Sequence, residues 1–148
     1  MTGVTSHSTR AEAALERIAI GSVALTARAL ILSGVDLSFT QWRVLMIGGE
    51  RPDGVAVSEI AARIGAEVSP ASRLVGRMAR RGYVELNKDE RDRRVTRVAV
   101  TDAGRTLRNS VLERRRILLG GIVAVAAAGD SDLVDALERI AAAFAPFV

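Results

Sequence analysis

The sequence predicts a mostly α-helical protein with one small β-hairpin, which places it in the α+β class. Apolar residues recur at intervals of three and four along most of the chain, which is the pattern of amphipathic helices. Alternation at every second residue, typical of strands, is found between Val84 and Val100. A chain of 148 residues is long enough to bury the core of one domain.

The N-terminal part is predicted to hold a tail and one long helix. Residues 1–10 are small and polar and do not resemble a signal peptide, so we expect a disordered tail there. Residues 11–34 have a helical pattern that is apolar nearly all round, and Arg28 is the only charge between Ile18 and Val35. Because an arginine near the middle of a membrane span is costly, we predict no membrane association. Burial between subunits is the simpler interpretation, with Arg28 pairing with a carboxylate or contacting an anionic ligand.

A second helix is predicted from Ser38 to about Ile47. Ser38 and Gln41 have the spacing of a capping box, which satisfies two backbone amides at the start of a helix. Trp42 lies on the inward side of this helix, where a core role is more common than ligand stacking. Glycines and a proline then break the chain, and residues 55–57 can supply a short third strand.

Residues 58–82 have the signature of a helix-turn-helix. A short helix with Ser58 as its cap is followed by a turn containing Gly65. A second helix is predicted to begin with Ser69 as N-cap and Pro70 at the first helical position. Gly82 suits the left-handed residue that closes a helix. In such motifs the second helix reads DNA in the major groove.

The second helix is amphipathic, with an apolar stripe on one side and arginines on the other. Arginine pairs in a bidentate way with phosphate and with guanine edges. A solvated basic face is the alternative interpretation, but no acidic residue balances the charge on this helix. The predicted DNA contacts on it are Ser69, Ser72, Arg73, Arg77 and Arg80.

A β-hairpin with a charged tip follows the second helix, and in this position it is called a wing. Such a loop can lay arginines along phosphates or into a narrow minor groove. From residue 69 to residue 101 there are nine basic residues against four acidic ones, so the positive field of a chain with net charge +4 is concentrated here. The predicted DNA contacts on the wing are Lys88, Arg91, Asp92, Arg93 and Arg94.

Two further helices are predicted after the wing. Thr101 caps the first, which runs to about Leu119 before Gly120 and Gly121 interrupt or kink it. Residues 114–116 are three arginines that we interpret as a solvated face. A turn at residues 129–131 precedes a last helix with Ser131 as its cap. Because the terminal helices expose too much apolar surface for a monomer, residues 11–36 and 105–148 are predicted to form a homodimer interface around a winged helix-turn-helix at residues 37–104.

These motifs, in this order, resemble the multiple-antibiotic-resistance regulator (MarR) family. The segments that carry the resemblance are residues 37–45, 58–61, 69–82, 83–86, 89–94 and 98–104. The resemblance implies a triangular homodimer that binds a pseudo-palindromic operator, with repression as the commoner outcome. In this family an Asp-x-Arg pair on the wing orients an arginine in the minor groove. Asp92 with Arg94 matches that pair, and Asp89 with Arg91 fits the same spacing, so both registers stay open.

The resemblance also implies a small-molecule effector. Members of the family commonly lose DNA affinity when an aromatic or anionic ligand binds between the dimer arms and the DNA-binding unit. By analogy, Arg28 and Trp42 are the candidate pocket residues here. The expected protein is therefore a bacterial cytoplasmic, nucleoid-associated regulator whose partners are double-stranded DNA, a second copy of the chain and a possible effector.

Other classes of function find little support in the residues. An enzyme would need paired acids, an activated nucleophile or metal ligands, but the chain has no cysteine and a single histidine, in the predicted tail. We therefore predict no catalytic residue, no metal site and no cofactor. A winged-helix module that binds acidic proteins remains a minor alternative. A non-specific architectural DNA-binding protein is the main one.

Overall fold

The computed structural model describes residues 3–126 and 130–144, with side chains from Thr9 onward. In this part of the chain there are six helices and three strands. They are α1 (Gly3–Ser33), α2 (Phe39–Gly48), β1 (Val55–Ala56), α3 (Val57–Ile64), α4 (Val68–Arg80), β2 (Val84–Lys88), β3 (Thr96–Val100), α5 (Asp102–Ala126) and α6 (Ser131–Ala143).

The strands form one antiparallel sheet in the order β1-β3-β2. Val98 in the central strand lies opposite Val55 on one side and Leu86 on the other. The core fills the space between this sheet and α2, α3, α4 and the first part of α5. Its largest fully buried side chains are Leu45, Ile60, Met78, Val44, Val55, Val75, Val98 and Val111. The predicted α+β class, the winged helix-turn-helix and the short third strand are confirmed.

Three residues that were predicted to begin or end a helix do so in the structure. The Ser38 hydroxyl accepts from the Gln41 amide at 3.2 Å, and the Gln41 side chain accepts from the Ser38 amide at 2.8 Å, which completes the capping box. Thr101 Oγ1 accepts from the amide of Gly104 at 3.1 Å at the start of α5. Gly82 has φ 73° just after α4, where a left-handed residue lets the chain turn into β2.

The predicted starts of several helices are wrong. α1 begins at Gly3, so residues 3–10 are helical rather than a disordered tail; nothing after Gly3 breaks the helix, and extending an existing helix costs little. At the other end of the chain the cap of α6 is Asp130, whose carboxylate accepts from the Leu133 amide, and not Ser131. Gly129 of the predicted turn lies outside the described residues. α5 continues through its two adjacent glycines to Ala126.

The two helices of the helix-turn-helix each start two residues earlier than predicted. The N-cap residues are Ala56 and Glu67, and neither makes a side-chain cap. Ser58 and Ser69 therefore lie in the first turns and do not cap. Pro70 is tolerated there because the first amides of a helix have no intrahelical partner.

Both terminal arms leave apolar side chains exposed in the single chain. The exposed large apolar residues of α1, α5 and α6 are Ile18, Ile20, Val23, Ile31, Leu32, Ile117, Leu119, Ile122, Val123, Val125, Val134, Leu137 and Ile140. No helix in the described part of the chain is both long and apolar enough to cross a bilayer.

We expect Gly104→Ala to destabilise the fold, because the first turn of α5 packs directly on the chain entering β2. A Cβ at Gly104 would lie 2.1 Å from the carbonyl oxygen of Tyr83. The backbone must shift to relieve this overlap, at a cost of about 3 kcal/mol in the free energy of unfolding.

The matched control is Gly76→Ala in the middle of α4, where a Cβ would meet only Arg80 Nη1, at 4.0 Å. Alanine there should stabilise the protein by about 1 kcal/mol through helix propensity. Urea denaturation of both variants measures the difference. Equal unfolding midpoints would contradict the tight contact at Gly104.

Candidate nucleic-acid interface

The helix α4 has one buried face and one basic face. Ala71, Val75 and Met78 are almost completely buried and fix the helix on the core. The opposite side forms a shallow groove of about 290 Å³, lined by Ser72, Arg73, Gly76, Arg77 and Arg80. Four of the five residues predicted on this helix therefore share one surface.

The fifth residue, Ser69, has a different local role from the predicted cap. Its Oγ accepts from Arg73 Nη1 at 2.8 Å, one helical turn away. This bond turns the guanidinium of Arg73 toward the N-terminus of α4, the end that meets base edges in helix-turn-helix proteins. Ser69 thus orients an arginine rather than the backbone.

On the wing, Asp92 holds Arg94 in a bidentate pair. Arg94 Nε and Nη2 each donate to a carboxylate oxygen of Asp92 at 3.0 Å. The Arg94 amide donates to the same carboxylate at 3.0 Å, so side chain and backbone are fixed together. Pairing lowers the pKa of Asp92 and raises that of Arg94. The Arg94 side chain is nevertheless 91% exposed, so it is oriented and still accessible.

The second possible register, Asp89 with Arg91, does not form a side-chain pair. Asp89 accepts instead from the backbone amides of Arg91 and Asp92, at 2.8 and 3.1 Å, and so fixes the turn of the loop. Its other oxygen pairs with the guanidinium of Arg97. This hydrogen bond is the main reason that the pKa of Asp89 falls to about 2, with the two amides adding to the effect.

Arg97 is a residue that the sequence analysis missed. Besides Asp89, its guanidinium donates to the carbonyl oxygen of Gly54 at 3.0 Å and lies 3.3 Å from Asp53. It therefore ties the wing loop to the segment just before β1. The available signal was an arginine within the strand that follows a loop with three acidic residues.

The wing and α4 meet at a second groove, of about 220 Å³. Its lining includes Val68 and Ser72 from α4 and Arg94 from the wing. Lys88 lies at the end of β2, where Nζ donates to Thr96 Oγ1 at 3.1 Å. Arg91 and Arg93 are exposed in the wing loop. The structure thus brings the α4 residues and Arg94 together, with the other three wing cations along the same hairpin.

A separate cavity of about 470 Å³ lies between α1, α2, α5 and α6. Trp42 lines it, as predicted, but Arg28 does not. Thr26 faces the cavity, and Arg28 is two residues further on, about 200° around the helix, where it is exposed. Arg28 therefore does not line this cavity in the single chain.

Two other arginines line the cavity instead. Arg115 lies over the Trp42 ring at 5.3 Å and is half-buried, although the run of three arginines around it was predicted to be solvated. Val111, one turn earlier, is fully buried, and this spacing was the signal for an inward Arg115. Burial lowers the pKa of Arg115. Its Nε and the Trp42 Nε1 are buried without a hydrogen-bond partner in the described structure.

The second of these arginines, Arg43, connects the cavity to the helix-turn-helix. Its Nη2 donates to the carbonyl oxygen of Arg63 at 2.5 Å, in the last turn of α3. Carbonyls in the last turn of a helix lack intrahelical partners, and a cation there is favourable. Arg63 in turn forms a two-point pair with Glu50, with both distances 2.6 Å.

Comparison with known proteins identifies relatives of both the sequence and the fold. The family model described as MarR family matches residues 35–95. The HTH-type transcriptional repressor IacR of Pseudomonas putida is 35% identical over 74 residues, which are 50% of this chain and 44% of that protein. The match thus spans less than half of the length of this curated relative.

Solved structures are similar over nearly the whole chain. A MarR family transcriptional regulator from Rhodococcus sp. RHA1 is 25% identical, with a TM-score of 0.72 over 95% of this chain and 97% of that one. CouR from Rhodococcus jostii RHA1, bound to p-coumaroyl-CoA, is 26% identical, with a TM-score of 0.64 over 88% and 87%. A structure of the repressor CouR on a 23-mer DNA duplex is 21% identical, with a TM-score of 0.66 over 89% of both chains.

We expect the Asp89 carboxyl to titrate with a pKa of about 2 in the folded protein, against 3.8 for an ordinary aspartate. The pKa of Asp89 is lower in the folded protein than in the unfolded chain, so the ionised carboxylate stabilises the fold. This stabilisation is complete above pH 3.8 and is lost as the pH falls through about 2. Carboxyl carbon NMR follows the titration. Arg97→Gln should move the pKa up toward 3.8, since it removes the largest cause. Arg93→Gln, the matched control, should leave it unchanged; a value still near 2 in the Arg97 variant would refute the assignment.

Proposed function

Because the chain belongs to the MarR family of transcriptional regulators, we propose that it acts as a homodimeric, sequence-specific repressor on a pseudo-palindromic operator. The observation that carries the proposal is the Asp92–Arg94 pair beside the basic face of α4. It holds an exposed guanidinium in a fixed direction, next to a helix end suited to base edges. Relatives described as repressors support the sign of regulation. Such a protein works on the nucleoid, in the bacterial cytoplasm.

Each part of the surface has a distinct role in this proposal. Arg73 and Arg77 contact base edges or adjacent phosphates in the major groove, where arginine is suited to guanine. Ser69, Ser72 and Arg80 place phosphates beside them. Arg94 enters the minor groove, and the remaining wing residues, Lys88, Arg91 and Arg93, contact phosphates.

The dimer is proposed from the exposed apolar side chains of the terminal arms. Ile31 in α1 is 72% exposed and Val125 in α5 is 88% exposed in the single chain. Apolar surface that extends over three helices of a small protein marks an interface. A two-fold axis through these arms would place the two copies of α4 about 34 Å apart, which is one turn of the duplex.

An effector is proposed for the cavity beneath Trp42. Its wall is mostly apolar, and its polar groups include the half-buried Arg115, whose Nε has no hydrogen-bond partner, and the unpaired Trp42 Nε1. These groups fit an aromatic body with an anionic or hydrogen-bond-accepting end. The relative CouR, bound to p-coumaroyl-CoA, supports a ligand of this kind. If such an anion attracts Arg43, the hydrogen bond from Arg43 to the end of α3 is lost. The spacing of the two reading helices would then change, and the affinity for DNA would fall.

The test is fluorescence anisotropy with the duplex upstream of the gene and with a scrambled duplex, across a salt series. We expect preferential binding to the native duplex, with two chains bound per duplex. Arg94→Ala should weaken binding and reduce the salt slope by up to about one phosphate contact. Arg91→Ala, the matched control on the same loop, should keep most of the affinity because Arg91 has no carboxylate that orients it.

The alternatives predict different results from the same titrations. Equal, strongly salt-dependent binding to both duplexes would indicate an architectural protein, and absence of binding would indicate a protein-interaction module. Unchanged affinity and salt slope in Arg94→Ala would refute the role given to the wing arginine.

The effector is tested with the fluorescence of Trp42, the single tryptophan of the chain. Aromatic carboxylates such as p-coumarate and benzoate should quench it and lower operator affinity, whereas their uncharged amides should bind about tenfold more weakly or worse. Arg115→Gln should abolish this preference for the carboxylate. Arg114→Gln, its exposed neighbour, should preserve it. Equal binding of acids and amides to the unmodified protein would contradict an anion site at Arg115.

A further inference from the structure

Val68, the first residue of α4, is an apolar side chain that the fold does not use. It is 53% exposed, which is more than any other large apolar residue of the winged helix-turn-helix at residues 35–104. It belongs neither to the buried core nor to the partly buried residues packed against it. The neighbouring positions of α4 that face outward are serine, proline and arginine.

The position of Val68 is defined by its neighbours on the two sides of a groove. One wall contains Val68 and Ser72, and the other contains Arg94 and Thr96 of the wing. Asp92 fixes the guanidinium of Arg94, which places a positive charge at this groove. A polyanion has the charge that complements this cationic groove. Val68 is thus an apolar spot within a cationic surface, at the end of the helix that approaches base edges.

Among the base edges of the major groove, only thymine presents an apolar group. Guanine, cytosine and adenine offer hydrogen-bond donors and acceptors there, whereas thymine adds its C5 methyl. A valine side chain has no donor or acceptor, so it can distinguish bases only by packing against that methyl. We propose that Val68 is a specificity-determining residue that recognises a thymine in each operator half-site through this contact. The inference rests on the proposed function and adds a base identity to it.

The Val68 contact differs from the arginine contacts in the source of its binding energy. Arg73 and Arg77 gain their energy from charge and hydrogen bonds, which phosphates of any sequence also satisfy. Packing of Val68 on a methyl group gives no energy at a phosphate and is insensitive to salt. The contact therefore increases the affinity for the operator and leaves the affinity for other DNA unchanged.

The experiment is a double-mutant cycle between Val68 and the thymine methyl. Within the footprinted part of the native duplex, each thymine is replaced in turn by deoxyuridine, which lacks only the C5 methyl and keeps the same hydrogen-bonding groups. At one position per half-site we expect the unmodified protein to lose affinity about fourfold, the equivalent of one buried methyl group at about 0.8 kcal/mol. Val68→Ala should bind the thymine and deoxyuridine duplexes equally at that position.

Two controls make the result specific. Leu86→Ala removes a comparably exposed apolar side chain, 41% exposed on β2, and should keep the full fourfold dependence on the methyl. Thermal unfolding of Val68→Ala should match that of the unmodified protein, because the side chain is outside the core. The salt slope should also be the same in both.

The outcomes separate this inference from the function on which it rests. A methyl dependence that persists in Val68→Ala, or that is absent at every thymine in the unmodified protein, would overturn the role of Val68 and leave the repressor intact. Equal binding of the native and scrambled duplexes would overturn both.

Discussion

The central strand β3 is the constraint on which the position of the interface depends. Val98 is fully buried and pairs with Val55 of β1 on one side and Leu86 of β2 on the other. Because α3 begins directly after β1, pairing with β3 fixes the start of the helix-turn-helix. The opposite edge of β3 fixes the wing. Arg97 of the same strand then holds Asp89 in the loop and Gly54 before β1, so one five-residue strand sets the distance between α4 and Arg94.

The side-chain pairs of the interface orient groups rather than stabilise the fold. Exposed ion pairs contribute little to folding, since water screens them and two side chains lose freedom. Their value lies in binding, where an arginine that is already held needs less ordering. Asp92 removes part of the positive field that attracts DNA from a distance, but it gives Arg94 one direction. Ser69 does the same for Arg73 without loss of charge.

Local signals in the sequence were sufficient for most of the fold and for much of the interface. The capping box at Ser38, the left-handed Gly82 and the alternation of the wing depend on neighbouring residues, and all three are confirmed. The starts of α3 and α4 were misplaced, because Ser58 and Ser69 both look like caps in the local sequence. For α3, the pairing of β1 with β3 ends at Ala56, and the helix begins directly after it. The arginines that line the cavity were not the one predicted. Arg28 was chosen because it is the only charge in a long apolar stretch, whereas the spacing of Arg115 from Val111 was the signal for an inward side chain and its contact with Trp42 depends on how α5 packs on α2.

The same packing connects the cavity beneath Trp42 to the DNA-binding surface of the helix-turn-helix. The segment between α1 and α2, together with α2 itself, contacts both helices of the helix-turn-helix. Arg43 of α2 binds the last turn of α3, and Asp36, just before α2, pairs with Arg81 at the end of α4 at 2.5 Å. Asp36 is 91% exposed, so its pair is weak, whereas the Arg43 bond is partly buried and its loss leaves a carbonyl without a partner. In the proposed effector response, α2 is therefore the element that moves the reading helix, and Arg43 is its stronger attachment.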